Sequence, residues 1–242
     1  MTLGSFPAAL DAVVVGATGG IGGALVDALL AEGARVWALS RKPGAPRGPR
    51  EICAAIDIED EASIAEAARL IAGQGAPRLV IVASGVLHAG GASPEKSARA
   101  LDPAILARTF AINAIGPALV AKHMLPLMPR EGRTVLAALS ARVGSIGDNR
   151  AGGWYGYRAS KAALNQMIRT LAIERGRVAP EAVLLALHPG TVATDLSRPV
   201  IGAGEGREVF TPQVSAGHLL RVIDGAHETG AYLAWDGTTI AY

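Results

Sequence analysis

Tyr157 and Lys161 stand four residues apart, a separation that puts both side chains on one face of a helix. A tyrosine serves as a general acid at neutral pH only if its phenol is made more acidic, and an ammonium on the same face does this by favouring the phenolate. The neighbouring Tyr155 has Ala159 at the same spacing and so lacks such a partner. A Tyr/Lys pair of this kind is common by chance. Its weight here comes from an isolated Asn113 in an apolar helical stretch and from Ser140 at the end of an apolar run.

A second cluster lies near the start of the chain. Gly16-Ala17-Thr18-Gly19-Gly20-Ile21-Gly22 follows an apolar run directly and opens a helical pattern. The glycines at 16, 20 and 22 let the backbone turn tightly and approach a pyrophosphate, whose charge the amides of the helix N-terminus would meet. A ligand-free turn would also use glycine, but the position after the first strand favours dinucleotide binding. Where such a domain reads the adenosine ribose, an acidic residue would bond the free 2′-hydroxyl of NAD. Here the residues are Ser40, Arg41 and Lys42. A hydroxyl followed by two cations suits a 2′-phosphate, so NADP(H) is expected, with Ser40 and Arg41 carrying the discrimination; the bland alternative is a solvated basic loop.

The elements that must position these residues are legible as an alternation. Ala12–Val15, Arg35–Leu39, Glu51–Ala55, Leu79–Val82, Arg133–Leu139, Ala182–Leu187 and Ala231–Ala234 read as strands, several of them apolar on both faces. Helical patterns at Gly22–Ala31, Ala62–Ala72, Pro103–Met128 and Tyr157–Arg175 separate them, which specifies a doubly wound α/β domain with a mostly parallel sheet. The 242 residues, 50% of them hydrophobic, are read as one domain, without internal repeat or linker. The aperiodic, Gly-rich stretch from Leu196 to Phe210 is read as a substrate loop or an inert surface loop.

Composition excludes other classes. Lys+Arg of 23 against Asp+Glu of 21 leaves +2, with no basic block for nucleic acid. Cys53 is the one cysteine, so no internal disulfide or thiolate metal site forms, and His88, His123 and His188 lack metal-ligand spacing. Met1–Leu10 has no basic start, and the longest apolar runs fall far below the ~18 residues of a membrane span. A soluble, cytoplasmic protein without bound metal is expected.

With these motifs in order, the chain resembles the short-chain dehydrogenase/reductases, and among them the C-factor-like and sniffer-like carbonyl reductases. The resemblance rests on the glycine loop, Asp57-Ile58, Gly85-Val86-Leu87-His88, Asn113 with Gly116, Val143 to Asn149, Gly153 to Lys161, Pro189-Gly190-Thr191-Val192 with Thr194, and Trp235-Asp236-Gly237. It implies a Rossmann fold across the whole chain. It also implies that Tyr157 protonates a substrate oxygen, that Lys161 binds the nicotinamide ribose, that Asn113 supports a water link from Lys161 to solvent, and that a serine polarises the carbonyl. Asp57 and Ile58 would contact the adenine, Gly85 the adenosine ribose, and Pro189, Gly190, Val192 and Thr194 the nicotinamide half. Two positions depart from the family pattern. Ala83-Ser84-Gly85 replaces the usual Asn-Ala-Gly, and alignment puts the catalytic serine on Ala141. Either Ser140 substitutes, Ser145 reaches in from the loop, or the serine role is weakened; Ser140 is the residue assigned.

The resulting expectation is an NADPH-dependent reductase of an aldehyde or ketone. The alternative is a catalytically weak NADP(H)-binding signalling protein, and a nucleotide-sugar epimerase or dehydratase is disfavoured by chain length. A homodimer or homotetramer is also expected, since Ala111, Ala114, Gly116, Ala162 and Ala163 would permit close helix approach between copies.

Overall fold

Strands that are apolar on both faces need cover on both sides, and this chain supplies it with helices. The computed structural model describes residues 3–89, 93–198 and 208–242. Its main sheet contains β1 (Asp11–Val15), β2 (Arg35–Ser40), β3 (Glu51–Ala55), β4 (Leu79–Val82), β5 (Thr134–Leu139) and β6 (Ala182–His188). A seventh strand, numbered β9 (Ala231–Ala234), completes the order β3-β2-β1-β4-β5-β6-β9, all parallel. Between β6 and β9 in sequence lie two short strands, β7 (Thr191–Val192) and β8 (Val209–Phe210), which pair with each other.

Side chains alternate between two cores. Val13, Val15, Val80 and Leu136 face one, while Ala12, Val14, Ile81 and Val135 face the other. The first core is covered by α2 (Glu61–Ala72), α4 (Gly116–Met124) and α5 (Tyr155–Gly176), with α3 (Pro103–Phe110) packed beside α5; the second by α1 (Gly20–Ala31) and α6 (Pro212–Gly225). Local signals start several helices. Asp60 accepts from the Ala62 N–H, and Asp102 accepts from Ala104 and Ile105 just ahead of Pro103.

The doubly wound fold is as the sequence specifies, but its details differ; α1, for one, begins at Gly20 rather than Gly22. The helix expected over Pro103–Met128 is interrupted by a wide π turn at Ala111–Ile115. Pro117 follows that turn and has no N–H for the carbonyl four residues back, which belongs to Asn113, so the regular ladder cannot pass. Helix α5 begins at Tyr155, two residues earlier than expected, and α6 is an additional helix, opened by Thr211, whose side chain accepts from Val214, and by Pro212 at its first position. At the end of the 196–210 loop, Val209 and Phe210 form a strand; residues 199–207 lie outside the described residues.

Small residues expected to serve pairing between copies are partly used within the chain. Ala114 is buried, and a β-carbon on Gly116 would lie 2.7 Å from the Ile58 carbonyl oxygen, so this glycine lets the helix close on the loop after β3. The helical run Pro103–Leu127, with mean hydropathy 1.6, is long and apolar enough to cross a membrane. That exceeds the expectation from continuous apolar runs, because scattered polar residues break the run without lowering its average much. Ile112, Val120, Ala121 and Met124 of this run are in the first core.

Candidate active site

The strand order reverses between β1 and β4, and a crevice opens there beyond the carboxyl ends of the strands. It is a cleft of about 700 Å³ whose walls include Gly16, Thr18, Ser40, Arg41, Asp57, Ile58 and Gly85. Gly16 has φ +90°, and a β-carbon there would stand 2.8 Å from the Ser84 amide nitrogen. A β-carbon on Gly22 would lie 2.1 Å from the Gly16 carbonyl oxygen, so only glycine lets α1 fold back onto the loop. Gly20, Ile21 and Gly22 form the first turn of α1, whose preceding residue Gly19 gives it no side-chain cap. Amides of an uncapped first turn are available to an anion.

At the far end of the cleft Ser40 is buried, and its hydroxyl has no partner among the described residues; the same holds for Ser84. Arg41 and Lys42 are exposed on the rim. Nearby Arg47 is committed to Glu51 and Asp27, and Arg108 to Glu59. Orphaned hydroxyls, a cradle that any β-carbon would fill and two rim cations fit a phosphate-bearing dinucleotide.

The second half of the site is built on α5. Tyr157 and Lys161 are both buried, and Lys161 Nζ lies 5.9 Å from the centre of the Tyr157 ring. The ammonium donates to the Leu139 carbonyl at 2.8 Å, at the end of β5. Burial pulls Lys161 down to about 8. The expected acidification of Tyr157 by Lys161 is not the dominant effect. Burial pushes the phenol well above its ordinary value, with Tyr232 adding to the rise, because a phenolate there would lose its hydration.

Asn113, in the π turn, is fully buried and grips the loop after β4. Its Oδ1 accepts from the Val86 N–H at 2.9 Å, and its Nδ2 donates to the Val86 carbonyl at 2.8 Å and to Ser160 Oγ at 3.1 Å. A β-carbon on Gly85 would lie 3.3 Å from Asn113 Oδ1 and 3.5 Å from Lys161 Nζ. Gly85 therefore joins the cleft to the α5 residues.

Both serines have structural partners. Ser140 is buried and donates to Asn165 Oδ1 at 2.6 Å, while Ser145 Oγ accepts from the Asp148 N–H at 3.1 Å. Tyr232 donates to the carbonyl of Ala141, the residue at the aligned serine position.

After β6 the chain passes behind the glycine loop. Pro189 accepts from Ser215 Oγ at 2.8 Å, and Gly190 (φ +81°) would place a β-carbon 2.7 Å from the Phe210 ring. Val192 is buried in β7, and the Thr194 methyl meets Gly20. These four residues are not among those lining the cleft described above; Thr194 adjoins the start of α1, while Pro189 and Gly190 meet Ser215 and Phe210. His188, just before them, is half-buried and pulled down to about 4 by loss of hydration, with Arg142 adding to the fall.

Sequence reasoning missed several neighbours. Ser84 and Arg108 line the cleft, and under Gly190 the His218 and Trp235 rings stack while the Phe210 ring meets both edge-on. It also missed Glu95, which is buried against the start of α5. Ser84 and Trp235 lie in motifs that gave them no site role, and Arg108, Phe210, His218 and Glu95 become visible only through contacts distant in sequence.

Comparison with known proteins identifies the family and the fold. A family model described as short chain dehydrogenase matches residues 11–203. The 1-hydroxy-2-glutathionyl-2-methyl-3-butene dehydrogenase of Rhodococcus sp. (strain AD45) is 30% identical over 234 residues, covering 92% of this chain and 98% of that one. The C-signal protein of Myxococcus xanthus is 37% identical over 145 residues, 59% of this chain and 81% of the relative. Among solved structures, an NADPH-bound carbonyl reductase from chicken fatty liver superposes with a TM-score of 0.81 at 25% identity, covering 97% of this chain and 94% of its own.

Proposed function

The chain belongs to the short chain dehydrogenase family, and from that premise we propose that it is an NADPH-dependent oxidoreductase reducing an aldehyde or ketone to an alcohol. The observation that carries the reading is the junction at Gly85, where the dinucleotide-shaped cleft meets Asn113 and Lys161. Gly16, Thr18, Ser40, Arg41, Asp57, Ile58 and Gly85 would hold the adenosine half of NADPH. Gly20, Ile21 and Gly22 would hold its pyrophosphate, and Pro189, Gly190, Val192 and Thr194 the nicotinamide half. When bound, NADPH supplies the hydride. Tyr157 donates the proton to the carbonyl oxygen; the burial that raises its pKa works against that step, so the positive charge of Lys161 beside it must favour the developing phenolate. Lys161 holds a positive charge beside the site below about pH 8 and orients the ribose.

Ser140 can polarise the carbonyl only by releasing Asn165. The reading therefore makes Tyr157 the principal polar contact to the substrate oxygen, with Ser140 acting through Asn165 on the placement of α5. Assembly into a homodimer or homotetramer through the exposed apolar residues of the α4–α5 region, among them Ile115, Met167 and Ile173, completes the proposal.

NADPH oxidation against a panel of aldehydes and ketones tests the reading. A second reading, an NADP(H)-binding signalling protein with little turnover, is favoured by Ala141 at the serine position and by the likeness to C-signal. Tight NADPH binding without turnover on any member of the panel would select it.

A further inference from the structure

The backbone entering α5 is left-handed at three residues in a row, Gly152 (φ +62°), Gly153 (φ +65°) and Trp154 (φ +54°). Trp154 is the one non-glycine residue with positive φ among the described residues, and its side chain does not cap the helix. A side-chain-bearing residue holds that conformation only where its surroundings dictate it.

What dictates it here is Glu95, from the segment between β4 and α3. Its carbonyl oxygen accepts from the Trp154 N–H at 2.6 Å, and its carboxylate Oε2 accepts from the Gly156 N–H at 3.3 Å. One residue thus clasps the chain on both sides of Tyr155. Glu95 is only 4% exposed, and its carboxyl group lies at the N-terminus of a 22-residue helix, the end that favours an acidic side chain. Gly156 is matched to it, since a β-carbon there would lie 2.9 Å from Glu95 Oε1 and 3.0 Å from Leu106 Cδ2. Tyr157 is the next residue, and the Trp154 ring meets its ring edge-on, 6.3 Å between centres at 67°.

We infer that Glu95 is a positioning residue for Tyr157, fixing the first turn of α5 by clasping Trp154 and Gly156. The inference rests on the reading of Tyr157 as proton donor. It adds that the first turn of α5, which leads into Tyr157, depends on a carboxylate 61 residues away, while the left-handed Trp154 is held by the backbone carbonyl of the same residue.

The test compares wild type with E95A, E95Q, G156A and E95A/G156A in the full chain. E95A is expected to lower kcat about tenfold or more while the Kd for NADPH stays within about twofold, as a displaced donor would. E95Q keeps an oxygen for the Gly156 N–H and should recover kcat to within about threefold of wild type. G156A should reproduce E95A by pushing the carboxylate away, and the double variant should be no worse than the worse single one, because both act on the same contact. Amide hydrogen exchange over residues 154–160 reads the clasp without substrate: faster in E95A and G156A, near wild type in E95Q. Unchanged exchange in E95A, multiplicative losses in the double variant, or an E95Q as impaired as E95A would overturn the inference. If E95A does not fold, E95Q and G156A carry the same comparison. A wild type that reduces no carbonyl sinks the proposed function instead, and the exchange measurement still decides the clasp.

Discussion

Lys161 Nζ donates to the Leu139 carbonyl oxygen at 2.8 Å, tying the second turn of α5 to the last residue of β5. The bond gives a buried ammonium one fixed acceptor and leaves the rest of its hydration lost, which is why its pKa falls to about 8.

That fall sets a pH dependence of stability. Between about 8 and the ordinary 10.5 the unfolded chain holds a proton on Lys161 that the native state has released. Stability contributed by this group therefore rises with pH across that window, and below pH 8 the native state carries the full cost of the buried charge. The shift corresponds to about 3 kcal/mol. Urea unfolding of wild type and K161M should show the wild-type stability gaining on the variant from pH 8 to 10.5; parallel curves would contradict the shift.

Proton donation by Tyr157 predicts that Y157F loses kcat by about 10² or more, with NADPH affinity near wild type. K161A should damage both kcat and cofactor affinity. Steady-state kinetics and fluorescence titration with NADPH separate the two, and a Y157F variant retaining wild-type turnover would remove the tyrosine from the chemistry.

For Ser140 the bond to Asn165 predicts a change mainly in stability. S140A leaves Asn165 Oδ1 buried without its donor, so the urea midpoint should fall while kcat stays within about threefold, as expected for a structural hydrogen bond. A loss of about 10² in kcat at unchanged stability would return Ser140 to the substrate carbonyl. The same loss confined to S145A would place that role in the loop.

Cofactor choice is predicted from the end of β2. Charge-assisted bonds of roughly 1.5 to 3 kcal/mol each imply at least a tenfold preference for NADPH over NADH. R41A should erode that preference, and S40D should reverse it by placing a carboxylate against the 2′-phosphate. Equal wild-type affinity for the two cofactors would refute the assignment.

Assembly predicts a mass of two or four chains in light scattering at micromolar concentration. Charged substitutions at Met167 or Ile173, both exposed in the single chain, should shift the mass toward one chain. A monomeric wild type would end this proposal.

What the sequence determined by itself was whatever depends on periodicity and near neighbours. Short apolar runs buried on both faces, alternating with helical stretches, specify a covered parallel sheet, and the glycines from Gly16 to Gly22 mark where its first turn must close. Four-residue spacing placed Tyr157 and Lys161 together because helix geometry is the same wherever a helix forms. Only the tertiary structure decided what those groups experience. The rise in the Tyr157 pKa comes from burial, with charge repulsion from the Tyr232 phenol adding to it, rather than from the helix itself. Ser140 is claimed by an asparagine 25 residues on, and the first turn of α5 by a glutamate 61 residues back. No local pattern carries such pairings, because a buried polar group takes whichever partner the packed elements bring within reach.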